Sequence, residues 1–495
     1  MKKIFMYSVW FFLFAAIGLN LYLSGCAGNG STPGNAAYKW HTFYGSTLPD
    51  RAYNVVTDGE NNAYIVGRSK GTWNGPAGQE PLHAHSDIKA NAPDFFVLKL
   101  ASDGTYQWHT FYGTSAGPDY AFSVAVDGSN NVYITGFSYK TWNGPLMELP
   151  LHAFSGGNKD AFVLKLTSEG VYQWHTFYGS TDYEDEGQGI ALDGSGNIYV
   201  AIKSYEPWKG PSGESPINAF TGDPDDDVVI NIAVLKLNSE GTYQWHTFFG
   251  ADGVGVEPSS IAVDGSSIYV AGLCSGTWDG PTGQTPLNSY AGGDDDAFVL
   301  KLTSTGDYQW HTFYGSTAND WANGIAVKNG NVYVTGFSNA SWNGPSAQLP
   351  RHAYSGGADI TVFELDSAGV YQWHTFYGSA SADDYGLNLA FDKNTGLYIV
   401  GRSYATWQGD NGANPLHAYT GGADIIIFKL NDTGDYSWHT FYGSASDDWG
   451  QGIALDSRGN IHAIGYSTAT WNGPSGQSPL HAYTGDMDII DVVLR

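Results

Sequence analysis

Trp40-His-Thr-Phe43 returns as Trp108-His-Thr-Phe111, Trp174-His-Thr-Phe177, Trp245-His-Thr-Phe248, Trp310-His-Thr-Phe313, Trp373-His-Thr-Phe376 and Trp438-His-Thr-Phe441, seven copies at spacings of 63 to 71 residues. Self-similarity at a regular long period is the mark of a repeat architecture. The second period is the easiest to read. Phe122 to Val126, Val132 to Phe137, Phe162 to Leu166 and Tyr172 to Tyr178 are four short runs of alternating, β-branched and aromatic residues, with Gly, Asn, Asp and Ser between them. Such runs are strands and such separators are turns. No helical periodicity follows the N-terminal segment. Four strands per unit and seven units predict an all-β fold, a seven-bladed β-propeller of four-stranded antiparallel blades.

Chain order supports a closed ring. The repeats open on a fourth-type strand, Tyr38 to Tyr44, and end on a third-type strand, Ile489 to Leu494. The N-terminal strand is therefore expected to complete the last blade, removing two free edges. An open solenoid is the competing architecture, but it needs distinct capping repeats, and the sequence has none.

Ile190-Ala-Leu-Asp-Gly-Ser-Gly-Asn-Ile-Tyr-Val200 and Asp296-Ala-Phe-Val-Leu-Lys-Leu302 resemble the bacterial SBBP family of β-propeller repeats, and the likeness runs from Tyr38 to Arg495. The resemblance implies the fold and a secreted or envelope setting, without implying one activity.

Ahead of the repeats, Met1-Lys2-Lys3 is basic, Ile4 to Leu23 is almost wholly apolar, and Leu23-Ser24-Gly25-Cys26 closes the segment. That ending resembles a lipoprotein signal, in which Cys26 becomes the lipidated first residue; a membrane-spanning anchor is the rival reading. Ala27 after the cysteine implies sorting to the outer membrane, with the protein facing the periplasm or the exterior. Residues 27–37 read as a polar, Gly-rich tether, reaching roughly 40 Å when extended. It enters the ring from the rim of short turns, which would turn the opposite rim away from the membrane.

The formal net charge of −27 argues against nucleic acid as a partner. With Cys26 lipidated, Cys274 has no partner for a disulfide; it stands where sister repeats carry Ser138, Ser338 and Ser467 and reads as a small packing residue. The expected state is a monomer.

Function is sought on the rim of long loops, where each blade carries an insert of about 20 residues between its second and third strands. Trp73, Trp142, Trp208, Trp278, Trp342, Trp407 and Trp471 recur in the inserts. They are candidate glycan-binding residues, stacking on apolar sugar faces; the alternative is that each pins its insert to the blade. The insert histidines His83, His152, His352, His417 and His481, replaced by Asn218 and Asn288 in two blades, occur once per insert, too dispersed to share a metal.

Asp50, Asp119, Asp185, Asp320, Asp384 and Asp448 are expected near the channel mouth, with Val256-Glu257 in their place in the fourth blade. They read as cation ligands or, more simply, as acceptors for backbone amides of their own loops. The turn at Asp193-Gly-Ser-Gly-Asn197 reads as a hairpin. Asymmetry concentrates in blades three and four, where Asp223, Asp225, Asp227, Asp294 and Asp296 form a candidate Ca²⁺ site, with Tyr183-Glu-Asp-Glu186 nearby. No nucleophile elbow, zinc motif, phosphate loop or haem motif is present. The leading expectation is a non-enzymatic platform for a glycan or an envelope protein. The alternative is a hydrolase or lyase acting on polysaccharide through paired carboxylates at the channel mouth.

Overall fold

The computed structural model describes residues 36–86, 92–223, 229–392 and 396–495. The leader, Cys26 and nearly all of the tether lie outside the described residues. The rest is a seven-bladed propeller: seven four-stranded antiparallel sheets, six contiguous in sequence and the seventh assembled from both ends of the chain. Blades one to six begin at Asp50, Asp119, Asp185, Val256, Asp320 and Asp384, and blade seven begins at Asp448.

The second blade shows how the sequence sets its strands. They span Asp119–Val126, Val132–Ser138, Asp160–Leu166 and Tyr172–Tyr178. The first starts three residues before the expected Phe122 because a bulge between Ala121 and Ser123 interrupts the alternation. Every other first strand shifts register at the equivalent place. A bulge bends a strand and re-aims one side chain. Here the bulged residues of all seven first strands line the central channel.

Ring closure follows the expected pairing. Tyr38–Tyr44 runs antiparallel to Asp488–Leu494, with Tyr38 opposite Leu494 and Tyr44 opposite Ile489. Ala37 donates its amide to the Arg495 carbonyl at 2.7 Å, and Arg495 returns the bond at 2.9 Å. Second and third strands are buried on both faces, so their alternation is weak in sequence. Rings from neighbouring blades interlock between sheets; Phe95 and Phe162 stack at 4.5 Å.

The long inserts do not stand up from the rim. Each folds back along the outer edge of its own blade and hydrogen-bonds to the fourth strand. In blade one the Leu82 amide donates to the His109 carbonyl at 2.9 Å, and the Phe111 amide donates to the His83 carbonyl at 3.1 Å. The same two bonds recur in all seven blades. The reason is the exposed edge: a fourth strand with unpaired N–H and C=O groups is a template for aggregation, and the insert covers it.

Candidate functional site: the channel mouth

The insert tryptophans hold this cover in place. All seven are 2–8% exposed. Each stacks on the histidine of a Trp-His-Thr-Phe copy, with centroids 3.8–4.1 Å apart and planes within 14°. The histidine Nε2 meets the carbonyl of that same tryptophan, at 2.9 Å between His109 and Trp73. A carbonyl only accepts, so Nε2 carries the proton and Nδ1 accepts from the tyrosine three residues earlier, at 2.7 Å from Tyr106. Burial pushes these seven histidines down to about 4. The faces of Trp73, Trp142, Trp208, Trp278, Trp342, Trp407 and Trp471 are thus turned into the blade edge, which is the pinning role. His83 likewise lies 2.7 Å from the Phe111 carbonyl, and Asn288 donates the same bond to Phe313 at 2.7 Å, which explains the exchange there, whereas Asn218 donates to the Thr247 hydroxyl at 2.8 Å.

The aspartate ring lies between blades rather than facing the channel. Asp50, Asp119, Asp185, Asp320, Asp384 and Asp448 are 0–2% exposed. One oxygen of each accepts the hydroxyl of the serine ending the second strand: Ser69, Ser138, Ser204, Ser338, Ser403 or Ser467. The other accepts a backbone amide at 2.6–2.7 Å from the preceding loop.

A second ring, not recognised in the sequence apart from Asp296, begins the third strands: Asp94, Asp160, Asp296, Asp359, Asp424 and Asp488. At six of the seven junctions one aspartate from either ring closes on the glycine that follows the aromatic motif. A Cβ on Gly45 would come within 2.8 Å of both Asp50 and Asp488, so only glycine fits. Burial raises these carboxyls: Asp50, Asp160, Asp296, Asp384 and Asp424 to about 7, and Asp320, Asp359 and Asp448 to about 6.

The junction between blades three and four lacks the whole set. Asn231 replaces the third-strand aspartate, Val256 the first-strand one, and Cys274 the serine, with Val256 and Cys274 directly opposite each other. Val256 and Cys274 are coupled by contact, because removing the carboxylate takes an acceptor from both the serine hydroxyl and the loop amide, as Asp384 provides for Ser403 and Ser379. Asp384→Val alone is therefore expected to cost about 1–3 kcal/mol. Adding Ser403→Cys and Asp359→Asn should recover part of it. Chemical denaturation of the single and triple variants checks this.

Of the expected calcium cluster, the three described residues are not gathered into a metal site. Asp296 points into a blade junction, where it accepts the Ala291 amide, while Asp223 and Asp294 are exposed. Asp225 and Asp227 lie outside the described residues. Among the described residues no group of three or more His, Cys, Asp or Glu is placed to hold a metal ion. Asp193 accepts the Ser195 and Asn197 amides and the Tyr199 hydroxyl, so its turn is satisfied from within.

What differs from blade to blade is the next position along the first strand. After each buried aspartate, or Val256, come Arg51, Tyr120, Glu186, Glu257, Trp321, Tyr385 and Trp449. Each is partly exposed and helps close a junction at the long-insert end of the channel. The seven junctions use five kinds of pair. Arg68 meets Tyr120, Lys159 meets Glu186, Lys203 meets Glu257 at 2.7 Å, and Asp295 accepts from Trp321 at 3.1 Å. Phe337 packs edge-on against Tyr385 at 4.8 Å, Arg402 lies 3.7 Å over Trp449, and Arg51 lies 4.8 Å over Tyr466. Below this ring a cavity of about 190 Å³ is lined by Tyr53, Asn54, Phe122, Gln188, Asn323 and Gln451 among others, a wall of amides, hydroxyls and rings without charge.

The site was not recognised in the sequence, yet its signal is there. Aligning the seven repeats on the aspartate puts a column broken only by Val256 beside one that holds Arg, Tyr, Glu or Trp. In a chain this repetitive, the variable inward position marks the place where the blades stop being interchangeable.

The β-propeller repeat family SBBP matches the chain at residues 173–201 and 437–470. The regulatory protein FlaEY of Caulobacter vibrioides is 24% identical over 362 residues, covering 58% of this chain and 36% of that protein. An uncharacterized WD repeat-containing protein of Acanthamoeba polyphaga mimivirus, L264, is 20% identical over 450 residues, 75% of this chain and 32% of its own. The matched region thus spans about a third of these curated relatives. Among solved structures, the WD40 β-propeller domain of Doa1 aligns over 92% of this chain and 96% of its own, at 10% identity and a TM-score of 0.45.

Proposed function

Since the chain belongs to the SBBP family of β-propeller repeats, we propose that it is a membrane-anchored envelope lipoprotein serving as a non-enzymatic binding platform, with a glycan or an envelope protein engaged at the channel mouth. One observation carries the reading. Repeats that agree in motif, junction carboxyls and insert packing diverge where their first strands meet at the mouth, and they present partly exposed Trp321, Tyr385, Trp449 and Arg402 there. A rigid scaffold displaying varied aromatic and cationic groups around a recess has the chemistry of a recognition surface. Ala37 joins the ring on the short-turn rim, the end opposite the mouth.

Full-length protein in detergent, applied to an array of envelope glycans and to immobilised envelope proteins, tests the reading. Trp449→Ala and Trp321→Ala are expected to weaken retention roughly thirtyfold, the effect of truncating an anchoring tryptophan. Undiminished binding by both variants, each with an unchanged melting transition, would refute the mouth as the binding surface. Cys26→Ser should release the protein from membranes; retention there would overturn the lipid anchor.

A further inference from the structure

We infer that Arg51, Arg68 and Arg402 form an oxyanion subsite at the channel mouth that takes the carboxylate of an acidic saccharide. This inference rests on the platform reading and names its ligand class.

The argument starts from which cations are paired. The sequence has six arginines against a net charge of −27, and three of the six stand at this mouth. On the far side of the ring, Lys159 is neutralised by Glu184 and Glu186 at 2.6 and 2.5 Å, and Lys203 by Glu257. Away from the mouth, Arg351 pairs with Asp435 at 2.9 Å. Arg51, Arg68 and Arg402 have no carboxylate partner among the described residues. Asp383 and Asp447, on the same rim, accept the backbone amides of Ala358 and Ala423 instead.

Aromatic rings fix the three side chains without using up their donors. Arg51 lies over Tyr466, Arg68 lies 4.4 Å over Tyr120, and Arg402 lies over Trp449 and 4.5 Å over Tyr385. Trp449 and Tyr466 are themselves 5.2 Å apart, which binds the group together across blades six, seven and one. A guanidinium carries five N–H donors. Arg51 spends Nε on the Met487 sulfur at 3.0 Å, a weak acceptor, and Arg68 spends one N–H on the Tyr120 hydroxyl. The Arg402 Nε is buried with no acceptor at all. Burial, with Arg51 adding repulsion, lowers the basicity of Arg68. Preorganised, like-charged donors held apart from the chain's many carboxylates are what an incoming anion neutralises.

What lies beneath selects the kind of anion. Burial raises the pKa of the Tyr53 hydroxyl against the pull of the nearby Arg68 and Arg51 charges, and Tyr53 also lines the cavity. Tyr53 meets Phe122 edge-on at 5.4 Å, and Asn54, Gln188, Asn323, Asn388 and Gln451 follow around the wall. Neutral amides answer hydroxyl groups, and rings answer an apolar sugar face. At about 190 Å³ the recess is smaller than a pocket for a whole drug-sized ligand, ~300–1,000 Å³, so it admits one end of a chain. A saccharide ending in a uronic acid supplies carboxylate, hydroxyls and ring face together.

Calorimetry on the full-length protein in detergent tests this with three probes: digalacturonate, its neutral carboxamide analogue and inorganic phosphate. Digalacturonate is expected to bind at least tenfold more tightly than the carboxamide, and to weaken as salt rises. Arg51→Gln, Arg68→Gln and Arg402→Gln should each reduce its affinity about tenfold or more, as loss of a charged hydrogen bond does. Arg402→Lys keeps the charge and serves where Arg402→Gln fails to fold, while Arg351→Gln should change nothing. Equal binding of acid and carboxamide, or affinity indifferent to the arginines, overturns the subsite while leaving the platform reading to its own tryptophan test. Arginine-dependent binding of phosphate alone overturns the saccharide assignment.

Discussion

Deleting residues 36–44 is expected to abolish cooperative folding of the propeller. That strand brings Trp40, Phe43 and Tyr44, which are 9%, 0% and 2% exposed, into the seventh blade. Burial of a large side chain contributes about 1.5–3 kcal/mol, so these three alone represent roughly 5–9 kcal/mol. The ladder from Tyr38–Leu494 to Tyr44–Ile489 goes with them. So does the stack of His41 on Trp471 at 4.1 Å, which holds the last insert against its edge. Domains of this kind are stable by only ~5–15 kcal/mol, so the loss is comparable to the whole. Closure also joins blades seven and one, so the damage reaches both neighbours of the gap. Circular dichroism during urea unfolding should show a broad, early transition. A truncated protein with the full-length midpoint would refute closure by the N-terminal strand.

The second large effect concerns pH. Eight buried junction aspartates are raised to about 6–7 from an ordinary 3.8. Burial also raises Asp94, Asp119, Asp185 and Asp488. The folded state therefore keeps protons that the unfolded chain has already released. The stability this contributes is complete below pH 3.8 and is lost as pH rises through 6–7. The seven stacked histidines act in the opposite sense. Held at about 4 against an ordinary 6.5, they add stability as pH rises between those values.

From about pH 4 to 6 the two sets largely offset each other, with a net tilt towards acid. At pH 6.5 the histidines of the unfolded chain are still half protonated, so they go on offsetting part of the carboxyl loss until about pH 7.5. Each proton of difference is worth about 1.4 kcal/mol per pH unit, so a net loss of about 2 kcal/mol is expected between pH 6 and 8, after a similar loss between pH 4 and 6. The melting temperature should fall gradually from about pH 4 to about pH 8 and then level off. A melting temperature that climbs from pH 6 to 8 would sink this account of the junctions. The Asp384→Val, Ser403→Cys, Asp359→Asn triple variant should show a shallower fall, since it removes one carboxyl pair.

Cys274 shows how far single residues were legible. Its exchange for serine is visible by aligning repeats, and so is Val256 in place of aspartate. That the two exchanges are one event is not visible, because it depends on Cys274 standing opposite Val256 across the strand pair. The insert tryptophans pose the same problem. Their period is plain in the sequence, but a tryptophan in a long loop is equally suited to bind a sugar or to pin the loop. The 3.8–4.1 Å stacks on the motif histidines decide for pinning.

The sequence by itself determined the blade count, the four strands of each blade and the closure of the ring. Those properties rest on local alternation, turn residues and chain order, all written within one period or at the two ends. Only the tertiary structure decided where the inserts go and what surrounds the channel. Arg51 meets Tyr466, and Arg402 meets Trp449, because the ring brings one blade's strands beside the next. No periodicity records such a contact. Repetition specifies the frame strongly because every copy repeats the same local physics, whereas the mouth is made of the few positions where the copies disagree. Its chemistry exists only once residues from seven blades have been brought around one axis.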